Sequence, residues 1–194
     1  MTLITLVRHG QTDWNLARRI QGSTDIPLNE TGRADALAAA ELLGEVTHHA
    51  IYASPLVRAH ETARIIAGHL GLDAPGLADD LREREFGEGE GMLVEEYLER
   101  FENWHSAPSG AESLDVVRDR ALGALDVIAR GSRRRSAPTA ESIIVVTHGG
   151  VIRSLLGHAS GGTLPREGDV LRNGSLHRFE AGPGLLRLLD PVAI

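Results

Sequence analysis

The chain of 194 residues has no cysteine. That excludes disulfides, thiolate catalysis and metal sites built on cysteine. It also lacks any apolar run of about 18 residues or more, so no transmembrane helix is expected. The sequence enters a strand at once, without a charged n-region or a small-residue cleavage site, and no signal peptide is expected. These absences fit a cytoplasmic location, which is the expectation here. Positive charge is in short supply: the formal net charge is −7. Nucleic-acid binding normally carries a basic footprint, so no nucleic-acid partner is expected, and no membrane partner either. The one basic cluster, Arg133-Arg134-Arg135, sits in a Gly/Ser/Pro/Ala stretch over 131–139 and reads as a solvated interhelix loop. No internal repeat, low-complexity tract or linker divides the chain. Its length suits one α/β domain over 1–194, as a monomer or homodimer.

What is present alternates between strands and helices. Residues 3–7, Leu3-Ile4-Thr5-Leu6-Val7, read as a buried strand. A turn-rich connection over 21–29 leads to a helix over about 31–43, capped by Asn29 or Thr31. Residues 50–54 read as a second strand. Ser54-Pro55 then opens a helix, with the proline just inside its first turn. That helix carries an apolar face of Leu56, Ala59, Ala63, Ile66, Ala67 and Leu70, and Gly71 ends it. Residues 77–91 show no clean period. Helices follow over 94–104 and, from a capping box at Ser109 to Glu112, through Leu114, Val117, Ala121, Leu125 and Ile128. The most apolar strand, Ile143 to Val146, precedes a helix over 151–158. A hairpin closes the chain, with strands around Leu176 to Phe179 and Leu185 to Leu189. This order implies a three-layer α/β/α sandwich whose sheet is mainly parallel, with an antiparallel edge strand.

The chemistry gathers at two strand ends. The first strand runs into Arg8-His9-Gly10 and the most apolar one into Thr147-His148-Gly149-Gly150. In a parallel sheet these ends share one edge, where ligands of open α/β sheets sit. The two imidazoles can therefore meet there. Arg58, in the first turn of its helix, can lean over the same edge. Helix starts point there too, with free N–H groups and partial positive charge. Arginine forks, imidazoles and helix starts together suit a tetrahedral dianion such as phosphate.

Leu6-Val7-Arg8-His9-Gly10-Gln11-Thr12-Asp13-Trp14-Asn15 resembles the signature of the histidine phosphatase superfamily, the phosphoglycerate mutase-like proteins. The likeness continues in Gln21-Gly22 through Asp25-Ile26-Pro27-Leu28, in Ser54-Pro55-Leu56 with Arg58-Ala59 and Thr62-Ala63, in Leu81-Arg82-Glu83 with Phe86-Gly87, and in Thr147-His148-Gly149-Gly150. The resemblance implies that His9 is a nucleophile that takes the phosphoryl group as phosphohistidine. Arg8, Arg58 and His148 would hold the phosphoryl oxygens, and Glu83 would serve as acid/base, with Glu85 as a competing candidate. Thr12, Asn15, Gln21, Gly22 and Gly149 would add phosphate contacts. The implied enzyme is a metal-independent phosphomonoester hydrolase, without cofactor, acting on a small phosphorylated metabolite and releasing inorganic phosphate.

A mutase needs a second grip on its substrate. The short cap-like insertion at about 84–112 offers one arginine after Met92, Arg100, among Glu95, Glu96, Glu99, Glu102 and Glu112. Gly150-Val151-Ile152-Arg153 also looks like the phosphatase branch. Gly89 stands where many phosphatases of this type carry tryptophan. Its absence is expected to remove a pocket wall and to leave Glu88 and Glu90 at the mouth, disfavouring multiply charged substrates. Three other readings stay open: a metal hydrolase on His9, His148 and Glu83, a non-catalytic phosphate-binding protein, and a cofactor-dependent phosphoglycerate mutase. The remaining histidines, His48, His49, His60, His69, His105, His158 and His177, read as surface or packing residues. Trp14 and Trp104 read as core or pocket wall.

Overall fold

The two most apolar runs become neighbours at the centre of a six-stranded sheet, β1 (Thr2–Arg8) beside β4 (Ser142–Thr147). They pair in parallel, with Leu6 opposite Val145 and Arg8 opposite Thr147. Alternation sends Ile4, Leu6, Ile143 and Val145 to one face and Val7, Ile144 and Val146 to the other. Both faces are buried, which explains why these strands read as continuous apolar runs. The strand order is β3-β2-β4-β1-β5-β6, with β2 at Ala50–Ala53, β3 at Gly76–Leu77, β5 at Leu176–Gly182 and β6 at Leu185–Leu188. β3, β2, β4 and β1 are parallel, whereas β5 runs antiparallel to β1 and β6 antiparallel to β5. The computed structural model describes residues 1–104, 106–136, 139–166 and 168–189. His105 and residues 137–138 of the basic stretch lie outside the described residues.

Helices α2 (Glu30–Leu43) and α3 (Val57–Leu70) cover one face through Ala39, Ala40, Leu43, Ala59, Ala63 and Ile66. Helices α5 (Leu114–Ser136) and α6 (Gly149–Ala159) cover the other through Val117, Leu125, Ile152 and Leu155. The result is the expected three-layer sandwich. A short α1 (Asp13–Leu16) follows β1, and α4 (Val94–Phe101) lies in the insertion. There Phe86, Tyr97, Phe101 and Trp104 pack into a separate aromatic cluster with Ile20. Arg84, 1% exposed, threads this insertion: its guanidinium donates to the carbonyls of Trp104, Ser106 and Glu112. Among the described residues no helix is long and apolar enough to cross a membrane.

Several boundaries differ from the sequence reading. Pro55 lies outside α3, whose N-cap is Leu56, and the Leu56 amide turns back to the Ser54 hydroxyl at 3.3 Å. The cap of α5 is not the Ser109-to-Glu112 box. Ser113 accepts the amide of Val116, while Glu112 pairs with Arg120 at 2.8 Å. Arg133, Arg134 and Arg135 form the last turn of α5 rather than a loop. Basic residues there suit the negative end of the helix dipole. α4 stops three residues early, and α6 begins two residues before the expected start. The unassigned stretch holds β3 and two 3₁₀ turns, Asp79–Leu81 and Gly87–Gly89.

Candidate active site

Because Arg8 is opposite Thr147, the next residue of each strand comes side by side. The rings of His9 and His148 have centroids 5.2 Å apart and are tilted by 58°. Both are buried. The Nδ1 of His9 lies 2.7 Å from the Gly10 carbonyl. A carbonyl only accepts, so Nδ1 carries the proton and Nε2 keeps its lone pair. The Nε2 of His148 meets the hydroxyl of Ser54 at 2.8 Å, and Ser54 follows β2 at the same sheet edge. Asn173 donates to the His9 carbonyl at 2.9 Å, across 164 residues of chain.

Two arginines flank the imidazoles. Arg58, fully buried, donates to the Gly22 and Thr24 carbonyls at 2.8 Å each. Arg8 donates to the Leu171 carbonyl, and its guanidinium lies against Gly149 at the start of α6. The Nε of Arg8, the Nε of Arg58 and the Nδ1 of His148 are buried and find no hydrogen-bond partner among the described residues. Unsatisfied buried donors are costly, and here they come from groups that meet at one sheet edge. Together they suit an anion with several oxygens.

Glu83 stands at the same edge. Its carboxylate accepts the amides of Arg84 at 2.8 Å and Gly150 at 3.1 Å. It does not pair with Arg82, which reaches Asp79, or with Arg84, which holds carbonyls. Glu85 is exposed, and its amide is held by Glu112. Position therefore favours Glu83 over its competitor. Thr12 caps α1 and lies 2.9 Å from Gln21 Oε1 and 3.1 Å from Asn15 Oδ1. The amide oxygens of Asn15 and Gln21 are thus engaged, which leaves their NH₂ groups as the free ends.

The electrostatics follow from burial and the arginines. Burial, then Arg58 and Arg8, holds the His9 imidazole well below its usual pKa of 6.5, opposed by the bond to Gly10. Burial and Arg58 do the same to His148. Both rings are neutral in this arrangement. The helix starts contribute less than expected: the Val57 amide is taken by Asp25 at 2.7 Å and the Gly150 amide by Glu83. The positive charge of the site comes from the guanidinium groups.

A family model for the histidine phosphatase superfamily (branch 1) matches residues 4–191. The chain belongs to the histidine phosphatase superfamily. Among histidine phosphatases it is 36% identical to the "Uncharacterized phosphatase PhoE" of Bacillus subtilis, over 98% of this chain and 94% of that one. It is 40% identical to a metal-independent phosphoserine phosphatase of Arabidopsis thaliana, over 80% of this chain and 67% of the other. The solved structure of a mycobacterial glucosyl-3-phosphoglycerate phosphatase with VO3 superposes with a TM-score of 0.83 at 26% identity, covering 100% of this chain and 98% of that one.

In this superfamily member, the two acidic residues expected at the pocket mouth have partners of their own. The Glu90 carboxylate is bonded to Ser23 and Thr24. Glu88 pairs with Arg100 at 3.1 Å. Gly89 is buried, and a Cβ there would stand 2.7 Å from the Tyr97 ring, so that ring occupies the space. Trp104 stacks on Tyr97 in the insertion's cluster, whereas Trp14 touches the Gly91 position. His48 and His177 are buried packing residues; His49, His69 and His158 are exposed and His60 half-buried. Ser54, named in the sequence only as part of a motif, bonds His148, and Asn173, which bonds the His9 carbonyl, escaped the sequence reading. The Asn173-Gly174 turn signal was there, but nothing local ties it to His9.

Proposed function

We propose that the protein is a metal-independent phosphomonoester hydrolase acting through phosphohistidine on His9. The observation that carries this reading is the 2.7 Å approach of His9 Nδ1 to the Gly10 carbonyl, from which the tautomer follows. With Nδ1–H held by the Gly10 carbonyl, Nε2 faces the reaction as a neutral nucleophile. The Nε2 lone pair attacks phosphorus and the P–O bond to the alcohol breaks. Glu83 gives its proton to the leaving oxygen. In the second half Glu83 takes a proton from water, the hydroxide oxygen bonds to phosphorus, and the P–N bond breaks to return neutral His9 and inorganic phosphate. Arg8, Arg58 and His148 hold the phosphoryl oxygens throughout, since such transfer depends on positioning and charge. Thr12, Asn15, Gln21, Gly22 and Gly149 line the phosphoryl end.

Hydrolysis rather than mutase chemistry is supported by Arg100, whose charge is spent on Glu88. Two buried guanidinium groups beside the imidazoles would repel a divalent cation, which supports metal independence. The substrate is a small phosphorylated metabolite, a class to which the phosphoserine and glucosyl-3-phosphoglycerate named for two relatives belong. The test is a metabolite-panel phosphatase assay in chelator, with acid-quenched turnover. We expect activity in chelator, an acid-labile phosphate on the chain, and loss of both in His9→Ala. Chelator-sensitive turnover, or no acid-labile phosphate, would overturn the reading.

A further inference from the structure

Glu90 has no part in the reaction as written, yet its carboxylate is tied down on every side. Oε1 accepts the amide and the hydroxyl of Ser23, each at 2.9 Å. Oε2 accepts the amide of Thr24 at 3.2 Å and its hydroxyl at 2.8 Å. The Phe86 amide adds a further donor at 3.3 Å. The loop held this way has a second side. The Gly22 and Thr24 carbonyls, on either side of Ser23, accept Nη2 and Nη1 of Arg58 at 2.8 Å each. Gly22 has φ +56°, and a Cβ at that position would run into the Glu90 carboxylate. Residues 22–24 therefore form a strap with a carboxylate on one side and a buried guanidinium on the other.

Arg58 is 0% exposed and hydrogen-bonds to carbonyls rather than to a carboxylate. Carbonyls orient a planar guanidinium only if they are themselves fixed. The strap's amides and hydroxyls point to Glu90, so its carbonyls are free to face Arg58. Burial alone would raise the Glu90 pKa, but the donors of Ser23, Thr24 and Phe86 outweigh it and keep the group ionised.

We infer that Glu90 is a positioning residue for phosphoryl recognition, holding the 22–24 strap so that Arg58 presents its free Nε to the phosphoryl oxygens. This rests on the reading of Arg58 as a phosphoryl ligand. Glutamine at position 90 keeps the shape but turns an NH₂ toward N–H and O–H donors. The hydroxyl on that side can turn to accept, but the backbone N–H can only donate, so that bond becomes a donor–donor clash and the strap loosens.

The test is the equilibrium affinity of the full chain for orthovanadate, measured for Glu90→Gln, Arg58→Ala and the double variant. Glu88→Gln, two residues away and exposed, is the control, and melting curves check folding. We expect Glu90→Gln to weaken binding about 10- to 100-fold, as befits charged hydrogen bonds. The double variant should bind no worse than Arg58→Ala, because residues acting through one group are not additive. Glu88→Gln should bind like wild type. If Glu90→Gln fails to fold, Thr24→Val removes one of its donors and should still weaken binding roughly 5-fold. Unchanged affinity in the Glu90 or Thr24 variant, or effects that multiply in the double variant, would overturn the inference. Arg58→Ala with wild-type affinity would instead overturn the role of Arg58, and the inference with it.

Discussion

Glu83 Oε2 accepts the amide of Gly150 at 3.1 Å, and Oε1 stands 2.5 Å from where a methyl group on residue 150 would go. The acid/base candidate is therefore placed by the absence of a side chain on α6. Gly150→Ala has no backbone penalty inside a helix, and alanine favours helix. The clash is with the tip of a flexible side chain, so Glu83 moves and the helix does not. We expect kcat to fall on the order of 10²-fold, the lower end of acid–base catalysis, with the melting temperature held within a few degrees. Wild-type kcat in Gly150→Ala would contradict this placement.

Arg58 bridges two carbonyls with one planar fork. Lysine has a point charge and no fork. Arg58→Lys is expected to lose on the order of 10²–10³ in kcat, as for one oxyanion donor, and to recover little over Arg58→Ala. Near-wild-type turnover in the lysine variant would show that charge alone suffices.

The acid limb of kcat/KM should lie below pH 6.5. As the proposed nucleophile His9 has to be neutral, and burial with Arg58 and Arg8 keeps it so as pH falls through the usual imidazole range. A free-enzyme limb centred at or above 6.5, in a buffer-independent profile, would contradict that environment.

Stability should fall in mild acid, and part of the loss should belong to His177. This residue is 2% exposed, its Nδ1 has no partner among the described residues, and burial pushes its pKa down to about 4. Above pH 6.5 neither folded nor unfolded His177 is protonated, so it costs nothing. Between 6.5 and 4 the unfolded chain takes up a proton that the folded chain refuses, and unfolding gains. At pH 5 this amounts to about 2 kcal/mol. His9 and His148 act in the same direction. Urea midpoints at pH 7 and pH 5 should show a smaller drop in His177→Gln than in wild type; equal drops would contradict the assignment.

Gly89→Ala should destabilise the insertion. The new Cβ would meet the Tyr97 ring at 2.7 and 2.8 Å, and that ring is fully buried and stacked on Trp104 at 5.5 Å. A ring packed on both sides cannot yield cheaply, so overpacking should cost about 1–3 kcal/mol. An unchanged urea midpoint would show that the cluster is looser than its geometry implies.

Period and chain order carried the sheet. β1 and β4 are apolar on both faces, and such runs are central strands whatever surrounds them. Two strand ends bearing His-Gly then had to share an edge, and His9 and His148 do so. The helix faces of α3 and α5 were equally plain in their apolar spacing. Helix ends were less legible, because caps are chosen by tertiary partners. Glu112 went to Arg120 and left Ser113 to open α5.

By itself, the sequence determined which residue types stand at the sheet edge: imidazole and guanidinium after strands, and a carboxylate in an aperiodic loop. Tertiary structure alone decided what holds them. Gly10 sets the His9 tautomer through a ring-to-carbonyl bond, and Gly150 seats Glu83 across 67 residues. Glu90 meets Ser23 and Thr24, in the same loop whose Gly22 and Thr24 carbonyls meet Arg58. The reason is range. Apolar periodicity is a local property of the chain, whereas a hydrogen bond between distant segments exists only once packing has brought donor and acceptor within about 3 Å.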